Sequence, residues 1–232
     1  MSPRRAAGPL ALIGGGEWGP GAATLDADLL ARSGATEVVV LPTAAAFEHP
    51  ERVGERAAAY FAELGVGART LAVLHRTDAE DPEIAAIVRA ARFVYVVDGS
   101  PLHLRSVLKG SALFDAMLAS YHGGGVLAAS GAGATLVCDP MVDPRGGAYT
   151  VGLGVVKNLA VFPYHGTAAD HLRERSIDLL PRGAVLAGVD AETALVKSTD
   201  GWSVVGAGNV TLYGPDGATT YSSGDTPEGL PA

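Results

Sequence analysis

One stretch of this chain has the residue types and order of a nucleophile turn. Leu127-Ala128-Ala129-Ser130-Gly131-Ala132-Gly133-Ala134 carries an apolar run straight into a series of tiny residues. Small neighbours permit the sharp strand-to-helix bend that presents a nucleophilic hydroxyl. With Ser130 at the apex, the places two before and two after hold Ala128 and Ala132, so both glycines of the usual pattern are replaced. With Gly133 as the closing glycine, the apex is Gly131, which has no side chain to attack with. A turn that lets a helix pack closely on a strand accounts for the same small residues.

Partners for such a nucleophile are present. Among the six histidines, His165 in Phe162-Pro163-Tyr164-His165-Gly166 follows a strand-like run and suits a general base. His49, after the second strand-like run, is a further candidate for the crevice. Asp190 or Glu192, at the entry to another run, can orient an imidazole; the bland alternative is an exposed turn. Asp98-Gly99-Ser100-Pro101 ends a fourth run. Gly99 there offers a backbone N–H to an oxyanion, while Ser100 caps a helix with Pro101 at its first position.

Other chemistries have less behind them. Gly14-Gly15-Gly16-Glu17-Trp18-Gly19 matches a dinucleotide-binding pattern in form. However, the second strand ends Val39-Val40-Leu41-Pro42-Thr43-Ala44 without the carboxylate that would hold a ribose, and Pro20-Gly21 delay the helix. A tight glycine turn is the favoured reading, and no cofactor is expected. No histidines pair at i, i+4 on one helix, so no metal is expected. The single cysteine, Cys138, allows no internal disulfide. It is expected about two turns into the helix after the elbow, buried and inert.

The surrounding chain is globular in character. Its 232 residues are 48% hydrophobic and 18% charged, enough to bury a core. A net charge of -8 argues against nucleic acid or an acidic membrane surface as partner. No apolar run reaches the roughly 18–20 residues that span a bilayer, and the start lacks the apolar core of a signal peptide. We expect one α/β domain over 1–232, with its core at about 10–213, loose termini at 1–8 and 222–232, and a cytoplasmic setting.

β-rich runs alternate with Ala-rich amphipathic stretches, the pattern of βαβ units on a mostly parallel, doubly wound sheet. Strands are predicted at Leu10–Ile13, Glu37–Leu41, Thr70–Leu74, Phe93–Val97 and Gly125–Ala129. Helices are predicted at Ala23–Ser33, Pro50–Leu64, Pro82–Ala91 and His103–Tyr121, the last divisible at Gly110. Beyond residue 142 short strands are expected at Tyr149–Val151, Leu159–Phe162, Ala184–Val189, Thr193–Lys197, Trp202–Val205 and Asn209–Tyr213, with one helix at Asp170–Leu180. Asp200-Gly201 and Pro215-Asp216-Gly217 signal hairpins. These strands read as a mixed or antiparallel extension of the same sheet. The catalytic candidates then gather in the crevice at the carboxyl ends of the strands.

In this order the segments resemble the cyanophycinase and dipeptidase E-like serine peptidases, whose fold is that of class I glutamine amidotransferases. The resemblance covers roughly residues 10–213. It rests on Gly14-Gly15-Gly16, Leu41-Pro42-Thr43-Ala44, the Gly99 turn with Leu102 and Leu104, Ala132-Gly133-Ala134 leading to Asp139-Pro140-Met141, and Asp190-Ala191-Glu192-Thr193-Ala194-Leu195. It implies the elbow sequence G-T-S-A-G-A, whose serine falls on Gly131, with Ser130 in the threonine place. It implies a histidine base where Tyr164 stands, one residue before His165. It implies a glycine-pair turn that here reads Asp98-Gly99-Ser100. A homodimer is the implied assembly.

Two readings follow. The coincident changes at Gly131, Tyr164 and Asp98 favour a family member without serine-peptidase chemistry, which binds a small molecule, a short peptide or a partner in a crevice formed by Gly15, Gly16, Gly99, Ser100 and Gly131. The alternative is an active hydrolase of small peptides or amides with a relocated site. In it Ser130 attacks, His165 takes the proton, Glu192 or Asp190 orients the ring, and Gly99 and Gly131 N–H groups hold the oxyanion. A dinucleotide site at Gly14–Gly19 is the remaining alternative.

Overall fold

Apolar runs without alternation make strands that must be covered on both faces, and the first half of the chain supplies five of them with helices between. The structure is a computed structural model that describes residues 6–215 and 217–232. In chain order it has β1 (Leu10–Ile13), α1 (Ala23–Ser33), β2 (Glu37–Leu41), α2 (Pro50–Glu63), β3 (Gly67–Thr70), α3 (Pro82–Ala90), β4 (Phe93–Val96), α4 (Pro101–Leu108), α5 (Ala112–His122), β5 (Val126–Ser130) and α6 (Ala132–Val137). The second half adds β6 (Cys138–Asp139), β7 (Met141–Val142), β8 (Tyr149–Thr150), β9 (Val156–Lys157), β10 (Leu159–Phe162), α7 (Asp170–Asp178), β11 (Val185–Val189), β12 (Thr193–Ser198), β13 (Gly201–Gly206), β14 (Asn209–Gly214) and β15 (Gly217–Ser222).

The first sheet has the order β13-β12-β1-β5-β4-β2-β3. Strands β3, β2, β4, β5 and β1 are parallel, and β12 and β13 add antiparallel to the β1 edge. One face packs on α1 and α2 through Leu25, Leu29, Ala57 and Phe61; the other packs on α3, α4 and α5 through Val88, Leu104, Leu108 and Met117. The mixed α/β architecture with helices on both faces is the one the alternation predicts.

Several local signals act as expected. Asp81 caps α3 by accepting from the N–H groups of Glu83 and Ile84, and Gly34 ends α1 in the left-handed conformation. The long predicted helix divides at Gly110 into α4 and α5, with Ser111 capping the second by accepting from the Phe114 N–H.

Four expectations need correction. The third strand ends at Thr70, because only Leu71 beyond it still bonds Val40 before the chain leaves the sheet. The later strands do not all extend one sheet. β10, β11, β14 and β15 join β6 and β9 in a second six-stranded sheet, ordered β15-β14-β11-β10-β6-β9. Cys138 begins β6 instead of lying within the elbow helix; it is fully buried, and burial pushes its thiol far above the ordinary value. The tail is not loose: Pro227 is buried, the Trp202 indole donates to the Pro231 carbonyl at 2.8 Å, and Val204 N–H bonds the Asp225 carbonyl. At the other end Gly8 N–H bonds the Tyr121 carbonyl. Residues 1–5 of the expected loose start, and Asp216 of the second hairpin turn, lie outside the described residues.

A buried carboxylate on the α1 face gives this architecture a pH dependence. Asp26 is fully buried and accepts a hydrogen bond from the Tyr60 hydroxyl at 2.9 Å. Burial pushes its carboxyl up to about 7, the Tyr60 bond opposes this, and the charge of Glu17 adds to the rise. A carboxyl raised above its unfolded value stabilises the fold below that value and loses the contribution as pH climbs through about 7. Asp26→Asn keeps an acceptor for Tyr60 and removes the ionisation. Denaturant unfolding is therefore expected to favour the variant over the wild type at pH 8.5, by roughly 2–4 kcal/mol, with the difference shrinking towards pH 4. An equal or lower unfolding midpoint for the variant at pH 8.5 contradicts this.

Candidate functional site

The site is decided at the carboxyl ends of β1, β4 and β5, and the pleat assigns its side chains. Val126 and Ala128 of β5 point to the α1–α2 core, whereas Leu127 and Ala129 point to the opposite one. By the same alternation Ser130 faces α1 and the following residue faces the other side. Ser130 is fully buried, and its hydroxyl donates to the Glu17 carboxylate at 2.7 Å. The other oxygen of Glu17 accepts the Asp98 N–H at 3.1 Å.

The elbow itself is at Gly131. Its φ of 47° and ψ of -104° form the strained turn between β5 and α6, a conformation that side chains adopt only at a cost. A Cβ built there would stand 2.1 Å from the Asp98 carboxyl carbon. The carboxylate of Asp98 therefore fills the place that the side chain of an elbow nucleophile needs.

Asp98 is held there by three donors. Its Oδ1 accepts the N–H groups of Gly99 and Ala132, each at 2.7 Å, and its Oδ2 accepts the Tyr164 hydroxyl at 2.6 Å. The N–H of the residue after the apex and that of a neighbouring turn are the usual pair of an oxyanion hole. Here they already hold an internal anion. Gly131 is not the second donor expected from sequence, since its N–H bonds the Ile13 carbonyl at 2.9 Å.

Tyr164 takes the base position as a hydrogen-bond donor. Burial raises its phenol far above the ordinary value, and the bond to Asp98 and its charge raise it further. The ring lies over the triple glycine, where a Cβ on Gly15 would be 2.2 Å from it, and the Gly16 N–H reaches the hydroxyl at 3.3 Å. Other backbone groups of that turn are also engaged: Gly14 O accepts Tyr164 N–H, Gly14 N–H bonds Thr193 O, and Gly15 O accepts Glu192 N–H. The triple glycine thus serves close packing in this structure, and its dinucleotide pattern meets protein groups.

Ser130 and His165 are separate, although Asp190, one of the two carboxylates expected to orient the imidazole, does lie beside it. His165 turns to the second sheet: its Nε2 is 2.8 Å from the Tyr213 hydroxyl, its Nδ1 is 3.6 Å from the Asp190 carboxylate, and its ring packs on Gly188. Burial lowers its pKa, the Asp190 charge pulls it back up, and Arg173 lowers it again. Glu192 accepts the Gly21 N–H at 2.9 Å and clamps the Gly19–Gly21 turn instead of orienting an imidazole. Ser100 caps α4 by accepting the His103 N–H. His49 is exposed beside Glu51. Among the described residues no group of three or more His, Cys, Asp and Glu is placed to hold a metal, and no helix is long and apolar enough to cross a membrane.

A cavity of about 270 Å³ opens over the elbow. Asp98, Gly99, Ala132 and Tyr164 form its polar end, while Val142, Phe162, Pro163 and Leu172 make apolar walls. Of the residues expected to form the crevice, Gly99 lines this cavity, whereas Gly15, Gly16, Ser100 and Gly131 are not among its lining residues. Sequence reasoning missed Glu17 as the partner of Ser130, Ala132 as the second N–H donor, and Asp98 as their acceptor. Strand parity from Val126 and Ala128 was the available signal for the first, and a carboxylate standing in a glycine turn was the signal for the last.

Comparison with known proteins agrees with this fold. The model of Peptidase family S51 matches residues 10–180. The crystal structure of a peptidase from an acI-B1 Actinobacterium is similar at a TM-score of 0.86 and 27% identity, covering 96% of this chain and 97% of that one. A putative peptidase E protein from Listeria monocytogenes EGD-e shares the fold at a TM-score of 0.66 and 16% identity, over 87% of this chain and 98% of its own. No curated protein matches the sequence. With a strand-to-helix elbow after β5 and a family model spanning well over half its length, the chain belongs to Peptidase family S51.

Proposed function

We propose that this protein keeps the fold and crevice of its family without serine-peptidase chemistry, and uses the crevice to hold a small ligand. The observation that carries the reading is the Asp98 carboxylate, which occupies both the nucleophile's space and the two N–H donors beside it. Acyl transfer needs those donors free for the oxygen that becomes negative. Removing even one such donor costs roughly 10²–10³-fold in rate, and here a fixed negative charge stands in the hole as well. Loss of the nucleophile costs on the order of a million-fold. Ser130 does not compensate, because it is buried on the opposite side of the sheet and bonded to Glu17.

Tyr164 supports the same reading. A general base must accept a proton, whereas this phenol stays protonated and donates one hydrogen bond to Asp98. The three changed positions act as one unit: Asp98 needs the space that Gly131 leaves, and Tyr164 needs Asp98 as acceptor.

Two experiments test this. Incubation with a fluorophosphonate probe is expected to leave the intact mass unchanged; a single adduct that disappears in Ser130→Ala would overturn the reading. A double-mutant cycle tests the shared space. Gly131→Ala is expected to lose roughly 2–4 kcal/mol of stability from strain and collision with Asp98. In the Asp98→Gly background the same change is expected to cost at least about 1 kcal/mol less. Additive losses in urea unfolding would show that the two positions do not compete.

A further inference from the structure

The charge balance of the crevice narrows what it can hold. No Lys, Arg or His lines the cavity among its described residues. Of its two carboxylates, Asp143 is neutralised by Arg145, whose Nε is 2.9 Å away. Asp98 has no ion pair among the described residues. Its three neighbours are all neutral donors, two backbone N–H groups on Oδ1 and one phenol on Oδ2. None of the three carries a positive charge. A carboxylate oxygen has two lone-pair directions, so Oδ2 retains one after Tyr164 is served.

We propose that the crevice recognises an ammonium group carried on a compact apolar body, with Asp98 as its charge partner. This rests on the ligand-binding reading above and adds the class of ligand. The walls of Val142, Phe162, Pro163 and Leu172 receive the apolar body. They also thin the solvent around Asp98, which strengthens its pull on a cation relative to open water. The cavity, at about 270 Å³, lies just under the range of drug-sized sites and suits a small amine. An anionic ligand meets like charge at the polar end, and a neutral one forgoes the ion pair.

A charge series on one body tests this with the full chain. Isothermal titration calorimetry at pH 7 compares 2-phenylethylammonium, 2-phenylethanol and 3-phenylpropanoate, and repeats the series on n-butyl bodies. The ammonium is expected to bind at least tenfold more tightly than the alcohol, and the carboxylate not to bind. Asp98→Asn keeps an acceptor oxygen for the Gly99 and Ala132 N–H groups and turns an amide N–H to Tyr164, whose hydroxyl then accepts instead of donating, while removing the charge. It is expected to weaken the ammonium at least tenfold and leave the alcohol unchanged. Equal binding of alcohol and ammonium, binding of the carboxylate, no binding by any member, or an unchanged ammonium affinity in the variant would each overturn the proposal. The wild-type series decides the matter if the variant does not fold. An alcohol that binds as well as the ammonium sinks the ammonium class and leaves a ligand-binding crevice standing. A fluorophosphonate adduct at Ser130 instead defeats the non-hydrolytic reading itself.

Discussion

A carboxylate and an elbow side chain cannot share the space between β4 and β5. Asp98 reaches across from the end of β4 to accept from Gly99 and Ala132, and its carboxyl carbon stands where a Cβ on residue 131 would go. Gly131 is therefore a requirement of Asp98, and Asp98 in turn satisfies two N–H groups that would otherwise face the cavity. Buried and half-buried donors without acceptors are costly. The internal anion fills that need with a covalently tethered group. Tyr164 extends the arrangement: its hydroxyl depends on Asp98, and its ring depends on the absence of a side chain at Gly15.

The sheet separates this system from a second polar system on its other face. There Glu17 accepts from Ser130, and Asp26 accepts from Tyr60. The two are joined at one point, since Glu17 also accepts the Asp98 N–H. The backbone of β4's exit is thus fixed from one side by Glu17, while the Asp98 side chain is fixed from the other. Displacement of the carboxylate requires breaking charge-assisted bonds, which are stronger than neutral ones. The elbow's strain is tolerated because both neighbouring segments are pinned.

Most of the parallel sheet was legible because each strand is a short continuous apolar run, and the helix ends were legible at Gly34, Asp81 and Ser111, where a single residue's chemistry sets the boundary. The second sheet was not. Its strands are short, and apolar content does not tell an antiparallel addition to one sheet from pairing within another; β12 and β14 read alike in sequence yet join different sheets. The site was half legible. Alignment with the family pattern put the missing nucleophile at Gly131 and the missing base at Tyr164, and both positions lie together around Asp98. The relocated pair failed on geometry that sequence contains only indirectly. Ser130 shares the parity of Ala128, so it faces α1, and Tyr164, at a φ of 51°, turns the chain so that His165 meets Tyr213 and Gly188.

The electrostatic sense of the crevice follows from what the carboxylate replaces. A hole built of two N–H groups is partially positive and suits a developing anion. With Asp98 inside it, the same donors are taken up by a carboxyl group that lines the cavity. Tyr164 does not reverse this, because a protonated phenol spreads the negative charge without adding a positive one. Nor does Asp143, whose charge is answered by Arg145. The walls that exclude water are apolar, so little solvent remains to screen what is left. On the proposed reading, Asp98 makes the polar end of the crevice suit a positive charge, while the fold that forms the crevice is retained.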